Sequence, residues 1–423
     1  MLRVLVDEIS PRIEYAFEFI FGSRGVDYQL TTDSSSEFHF AYSKERNITV
    51  PHVEMAAFMT QTHLENIPLT VSEFEGMDCY AFDGVVDPVA SIFYHITRYE
   101  EYISETKDEY GRFPFLVSTA PENWVKMAMC DRWSVAILKH LGLEPTEVKE
   151  VNIVPSFDID NTYAYKLKRG KRKLLSSFKD LLQFNLERIK ERQRVLRGKM
   201  NDPYDTFSTI RAVQKRFPQT RVFWLIGKWG KKDRNISIKN KAHRQLIKSL
   251  CDEGVDIGLH PSFGSFLKKE VIASEKKELE EVCGKSISNS RQHFLRFQIP
   301  STFADLHDIG FKNEYSMGYA ERVGFRAGTA RPHRWFDLSR NEVSGLIIHP
   351  FVYMDGTLRE YMNLSIAESK TVIHELYDEV ATYGGDFIFI WHNETIGNYG
   401  NWKGWKEVLG FTLNLGEKRQ ENI

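Results

Sequence analysis

Apolar residues along the chain come in two rhythms: short unbroken runs, and longer stretches in which they recur at every third or fourth position. Unbroken runs read as strands buried on both faces, while the 3.6-residue rhythm reads as helices with one face turned inward. In the first third, Leu2 to Val6 and Ile48 to Pro51 are of the first kind, and Ile13 to Ile20 and Val89 to Ile103 are of the second. Frequent glycine and proline separate them, and together they predict a small α/β domain over residues 1–148. The acidic run from Gly142 to Glu150, which contains Pro145, marks its end.

Beyond that boundary the alternation is more regular. Val151 to Asp160 is a buried strand tipped with two carboxylates, Arg221 to Gly227 a second strand, and His243 to Cys251 a helix that stops before Gly254. Val255 to His260, Gly345 to His349 and Asp386 to Trp391 are further strands, with a helix from Ser365 to Thr382. Strand followed by helix, repeated over residues 149–423, predicts a parallel α/β barrel rather than a sandwich. Between its first two strands lies a basic segment, Lys166 to Lys199, whose apolar positions (Leu174, Leu175, Phe178, Leu181, Leu182, Phe184, Leu186, Ile189) keep helical spacing. A charged, solvated face is the default for such a helix, and a grip on an anionic glycan or lipid carrier is the alternative.

Composition narrows the class without changing the layout. A chain of 423 residues exceeds what one core usually serves, in keeping with two domains. A net charge of −2 gives no global field for nucleic acid or an anionic membrane. No apolar run reaches membrane-spanning length, and the start, Met1 to Glu8, meets an acid pair too early for a signal-peptide core; a cytoplasmic protein is expected. Cys79, Cys130, Cys251 and Cys283 show no CxxC spacing and read as reduced core thiols.

The chemistry gathers at strand ends. Residues two apart on a strand point to the same side, so Asp158 and Asp160 stand together, and each raises the cost of ionising the other unless a cation or an arginine is near. His260 and His392 also directly follow apolar runs. The plain alternatives are an Asx turn closing the strand, with Asp160-Asn161-Thr162 capping a helix, and histidines that are structural hydrogen-bonders. The aromatic stripe around Phe93, Tyr94 and Tyr99 reads as core packing, with carbohydrate stacking as the minority reading.

Ser156-Phe157-Asp158-Ile159-Asp160, then Asp256 to Ser262 ending in His260-Pro261-Ser262, then Phe389-Ile390-Trp391-His392, resemble the polysaccharide deacetylases of carbohydrate esterase family 4, the NodB-homology domain. Arg291-Gln292-His293-Phe294-Leu295, Gly324 to Thr329, Met354-Asp355-Gly356-Thr357-Leu358 and Trp391-His392-Asn393-Glu394 resemble a divergent bacterial branch of it. That branch carries an amino-terminal domain of unknown function, to which Arg98-Tyr99-Glu100-Glu101-Tyr102 and Gly111-Arg112-Phe113 are similar. The resemblance implies a distorted (β/α) barrel preceded by a smaller α/β domain, and a hydrolase that removes N-acetyl groups from a sugar in a polysaccharide or glycan precursor with a divalent metal, zinc, cobalt or nickel. Carried over, Asp158 matches the general base, Arg291 its orienting partner, Asp160 and His260 metal ligands, and His392 the acid that protonates the leaving amine. Phe294 lies where a backbone N–H would meet the carbonyl oxygen. Arg326 could hold a sugar carboxylate or phosphate, or form a structural ion pair; Glu394 could orient His392 and line the substrate site.

One position departs from the pattern. The second metal histidine should lie four residues after His260, where Gly264 stands. His293 is the candidate replacement, His349 the second choice. Two other functions stay open: a glycan-binding or scaffolding protein that has lost the metal, and a cyclic-amide hydrolase on the same fold.

Overall fold

A computed structural model describes residues 1–45, 49–145, 150–168 and 186–416. The N-terminal region holds two small sheets. Strands β1 (Leu2–Val6), β2 (Tyr28–Thr31), β3 (Phe40–Ser43) and β4 (His52–Glu54) are parallel in the order β2-β1-β3-β4. Strands β5 (Leu69–Phe74), β6 (Met77–Phe82) and β7 (Val85–Val86) form an antiparallel sheet. The strand expected at Ile48 to Pro51 begins later, at His52, and Ile48 lies outside the described residues. The amphipathic stretch from Val89 to Ile103 is two helices, Pro88–Ile96 and Tyr99–Ile103, broken at Arg98, which adopts a left-handed conformation (φ 57°). Its aromatic stripe is core: Phe93 and Tyr99 are fully buried.

The C-terminal region is built on one nine-stranded sheet. Its strands are β8 (Asn152–Ile159), β9 (Arg221–Leu225), β10 (Asp256–His260), β11 (Asn289–Ser290), β12 (Asn313–Glu314), β13 (His333–Asp337), β14 (Glu342–Ile348), β15 (Tyr353–Met354) and β16 (Asp386–His392). They lie in the order β13-β14-β12-β11-β10-β9-β8-β16-β15. Every ladder is parallel except that of β13 on β14. The two ends of the sheet, β13 and β15, share no ladder among the described residues, so what the ladders show of the barrel expected from the alternation is a mixed nine-stranded sheet. The mixed character has a local reason: β13 and β14 form a hairpin, which puts an antiparallel strand at one edge.

Crossover helices, among them Phe207–Arg216, Lys241–Asp252, Lys269–Cys283, Ser301–Ile309 and Ile366–Tyr383, return the chain so that all the parallel strands end on one side. The last of these starts at a capping box of Ser365 and Glu368. Strand β8 sits between β9 and β16, with every residue from Ile153 to Ile159 buried, which is why its sequence shows no alternation. Of the basic segment, Leu186–Leu196 is a helix with a largely exposed surface, while the part from 169 to 185 lies outside the described residues. Cys251 and Cys283, on neighbouring helices, are joined as a disulfide, a correction to the expectation of four reduced thiols; Cys79 and Cys130 are free and buried. No helix among the described residues is long and apolar enough to cross a membrane.

The two regions are locked by buried ions. Arg326 grips Glu101 with two hydrogen bonds, from Nε to Oε1 (2.9 Å) and from Nη2 to Oε2 (2.7 Å). Arg98 donates from Nε to the same Glu101 (2.7 Å), from Nη2 to Glu100 (2.6 Å) and from Nη1 to the Arg326 carbonyl (2.5 Å). The segment carrying Arg326 can thread this close because Gly324 (φ 119°) faces the Val125 carbonyl, where a Cβ would collide. Burial alone would raise the Glu101 pKa, but Arg326 and Arg98 outweigh it and hold the carboxyl down at about 2.

Removing one member of such a network leaves an unpaired buried charge, so Arg326→Met should cost on the order of 3 kcal/mol in urea denaturation. Because Glu101 titrates lower in the folded chain than its ordinary 4.5, its contribution is complete above that pH and drains away as pH falls toward 2. The stability gap between the wild type and Glu101→Gln should therefore shrink across that window.

Candidate active site

The shared end of the parallel strands collects residues from distant parts of the chain. Asp158 is the penultimate residue of β8, and its register partner on β16 is His392; Asp160 follows one residue after the strand. Arg291, just past β11, is wholly buried and donates from Nη1 to Asp158 Oδ1 (2.8 Å) and from Nε to the Tyr315 carbonyl (3.0 Å). Its guanidinium lies 4.3 Å from the Phe223 ring centre. With the arginine clamped on three sides, Asp158 has one carboxylate oxygen committed and the other turned toward His260 Nε2, 3.8 Å away.

Asp160, His260 and His293 face one another with their candidate ligand atoms all within 4.8 Å. His260 Nδ1 lies 2.5 Å from the Arg291 carbonyl, which can only accept, so Nδ1 carries a hydrogen, and Nε2 faces Asp160 Oδ1 at 3.2 Å. His293 Nδ1 lies 2.9 Å from Asp233 Oδ1, and its Nε2 faces Asp160 Oδ2 at 3.3 Å. Asp160 Oδ1 is buried without a hydrogen-bond partner. Two imidazole nitrogens and a carboxylate oxygen, each imidazole fixed from behind by an oxygen acceptor, form a donor set that suits zinc, cobalt or nickel. Burial would lower the His293 pKa, but Asp160 and Asp233 outweigh it and raise it to about 9.

The departure at Gly264 has a structural counterpart. Its backbone N–H donates to Asp233 Oδ2 (3.2 Å) and that of Phe263 to Oδ1 (2.7 Å), so the turn after His260 anchors the carboxylate that orients His293. His349, the second choice for the missing ligand, is elsewhere: it stacks on Tyr315 (4.3 Å) and contacts Asn313 through Nε2 (2.9 Å).

His392 is oriented by Asp355, a residue to which the sequence reading gave no role. Asp355 Oδ1 holds His392 Nδ1 at 2.8 Å, and Oδ2 accepts from the His392 backbone N–H (2.9 Å) and from Thr395 Oγ1 (2.5 Å). Burial would lower the His392 pKa; Asp355, then Asp160 and Asp158, outweigh it and push it well above the ordinary value. Glu394, expected to orient His392, instead borders the cavity, its carboxyl raised to about 7 by burial and then by Asp160. The Met354 to Leu358 stretch could have pointed to Asp355, since Asp355 directly follows β15, which pairs with β16.

These groups open into a cavity of about 280 Å³. Beyond the charged cluster its wall includes Phe294, Tyr361, Tyr399 and Trp402, together with Arg112 from the N-terminal region. Arg326 does not reach it; of its two readings the structural ion pair is the one present, with the guanidinium bonded to Glu101 and the Gly318 carbonyl rather than free for a sugar carboxylate or phosphate.

Comparison with known proteins adds little detail. Residues 2–143 match a family described only as a family of unknown function, DUF7033. Among curated proteins there is no match. Similar solved structures include one from Mycobacterium smegmatis named for a polysaccharide deacetylase (14% identity, TM-score 0.41, covering 64% of this chain and 87% of that one). A polysaccharide deacetylase from Bacillus cereus matches at 10% identity and TM-score 0.31, covering 64% and 89%. The Xyl-CE4 domain of a multidomain xylanase from the hindgut metagenome of Trinervitermes trinervoides matches at 8% and 0.29, covering 64% and 85%.

A carboxylate behind a ligating imidazole typically contributes about 10- to 100-fold in metal affinity. Asp233→Asn should weaken zinc binding by that factor in competition with a chromophoric chelator, whereas Asp355→Asn, behind a different histidine, should leave it within about twofold.

Proposed function

We propose that this chain is a metal-dependent amidohydrolase that removes acetyl groups from an N-acetylated sugar of a polysaccharide or glycan precursor, on a NodB-type barrel. The observation that carries this reading is the convergence, on one cavity, of Asp158 held by Arg291, His392 held by Asp355, and the Asp160, His260 and His293 cluster. Amide hydrolysis needs an activated water, relief of charge on the carbonyl oxygen and a proton for a poor leaving group. A divalent ion held by Asp160, His260 and His293 would supply Lewis acidity.

The remaining steps belong to the chain. Asp158, its Oδ1 tied to Arg291, keeps Oδ2 to take a proton from the attacking water. His392 is the acid: its Nδ1–H is bonded to Asp355, and its Nε2, 3.8 Å from Asp160 Oδ2, is the atom that gives a proton to the departing amine. Asp355, then Asp160 and Asp158, favour the charged form of that ring, as the role requires. Tyr361, Tyr399 and Trp402 offer flat apolar faces beside polar groups, the combination a sugar ring presents in return.

Purified protein should bind one zinc ion and release acetate from N-acetylglucosamine oligomers. Asp158→Asn and His392→Ala should each lower kcat by about 100-fold or more while retaining zinc. Asp160→Ala and His260→Ala should lose both. Zinc retained at wild-type affinity by the Asp160→Ala/His260→Ala double variant, or activity confined to cyclic imides and ureides, would overturn the reading.

A further inference from the structure

We infer that Arg112, supplied by the N-terminal region, is a positioning residue for this hydrolysis: it holds the Phe294–Leu295 turn whose free Phe294 N–H is the donor to the scissile carbonyl oxygen. The inference rests on the amidohydrolase reading above and extends it to a part of the chain that the reading leaves without a task.

The turn is unusual in itself. Phe294 (φ 63°) and Leu295 (φ 53°) are consecutive left-handed residues, and neither is glycine. Each such residue costs on the order of 1 kcal/mol or more, and the pair persists only where its surroundings over-determine it. His293 N–H donates to the Pro261 carbonyl (3.3 Å), Leu295 N–H to Gln292 (2.9 Å) and Arg296 N–H to His293 (3.3 Å). Phe294 N–H, in the middle of that series and at the cavity wall, donates to nothing among the described residues.

The restraint comes from across the boundary between the regions. Arg112 Nη1 donates to the Phe294 carbonyl (3.2 Å), and the Tyr110 ring packs against the Phe294 ring at 5.3 Å. Arg112 arrives already fixed. Asp108 takes its Nε (2.7 Å), its backbone N–H (2.8 Å) and the N–H of Tyr110 (2.9 Å), and Asp108 N–H donates to the Arg112 carbonyl (2.9 Å). The turn closes at Gly111, in the left-handed region (φ 82°). A guanidinium held this way cannot follow Phe294 if the turn relaxes. Without it, the Phe294 carbonyl loses its donor and the strained φ can return to the ordinary region, rotating the N–H next to His293.

The test uses the full-length, zinc-loaded protein with Arg112→Ala and Arg112→Lys. Zinc content, kcat and KM for acetate release from N-acetylglucosamine oligomers, and hydrogen exchange of the peptide spanning residues 292–296 are measured together. Arg112→Ala should keep its zinc and lower kcat about 10- to 100-fold, with KM within about twofold, since the interaction lost is one made to the transition state. Exchange at Leu295 and Arg296, whose N–H groups are bonded within the turn, should quicken, Arg112→Lys should fall between the two, and added guanidinium should restore part of the alanine variant's kcat. Unchanged kcat and unchanged exchange, or a loss seen only in KM or only with loss of zinc, would overturn the inference. A wild type that releases no acetate sinks the hydrolase reading instead, and the exchange measurement then decides by itself whether Arg112 holds the turn. Should the alanine variant fail to fold, the lysine variant carries the same comparisons.

Discussion

Two carboxylates that leave the end of one buried strand set the terms for everything around them. Asp158 and Asp160 are separated by one residue, the first buried and the second with a side chain 24% exposed, and neighbouring like charges disfavour joint ionisation. The structure answers Asp158 with the wholly buried Arg291 and Asp160 with two imidazoles. Each answer brings a further demand: an imidazole works as a donor or a ligand only in a fixed tautomer. Asp233, Asp355 and the Arg291 carbonyl supply that constraint from behind the rings.

The result is two layers of acid around a layer of base, in which orientation is set by the outer layer and charge by the inner. Two histidines with raised pKa values, His293 and His392, sit against the same Asp160 from different directions, yet their backing carboxylates differ in origin. Asp233 is held by backbone N–H groups of the turn after β10, so its position follows from the fold of that loop. Asp355 is held by the N–H groups of Gly356 and His392 and by Thr395, so the histidine it orients is also one of the residues that fix it.

How far the sequence revealed this follows from the same physics. Strands β8, β9, β10 and β16 are legible because burial on both faces leaves an apolar run, and Asp158, Asp160, His260 and His392 are legible as the polar residues that end such runs; β14, whose first half is exposed, is legible only from Gly345 on. Strands β11 and β12 have two residues each, too few to carry a rhythm. The antiparallel edge at β13 depends on a hairpin whose strands read no differently from parallel ones, and the pairing of Cys251 with Cys283 depends on how two helices pack. Asp233 lies in a loop and Asp355 in the short helical turn after β15, where no periodicity marks a residue that will be buried. Arg326 stayed open between two readings for a related reason: a buried arginine serving an interface and one serving a ligand look the same in one dimension.

The interface that claims Arg326 also bears on the cavity. A buried ion pair contributes little net stability over apolar residues of the same shape, so its consequence lies in geometry. Arg98, itself in a left-handed conformation between two helices, binds Glu100, Glu101 and the Arg326 carbonyl at once, and each bond is directional. Apolar packing between Phe336 or Leu338 and the N-terminal core would tolerate a small slide of one region on the other; this network would not. A slide is what the cavity cannot accept, because part of its wall, Arg112 on Phe294, is a hydrogen bond made across the same boundary. The buried ions at Arg98 thus fix the distance over which Arg112 must reach, and the N-terminal region is as much a part of the cavity's geometry as the strands that carry the acids.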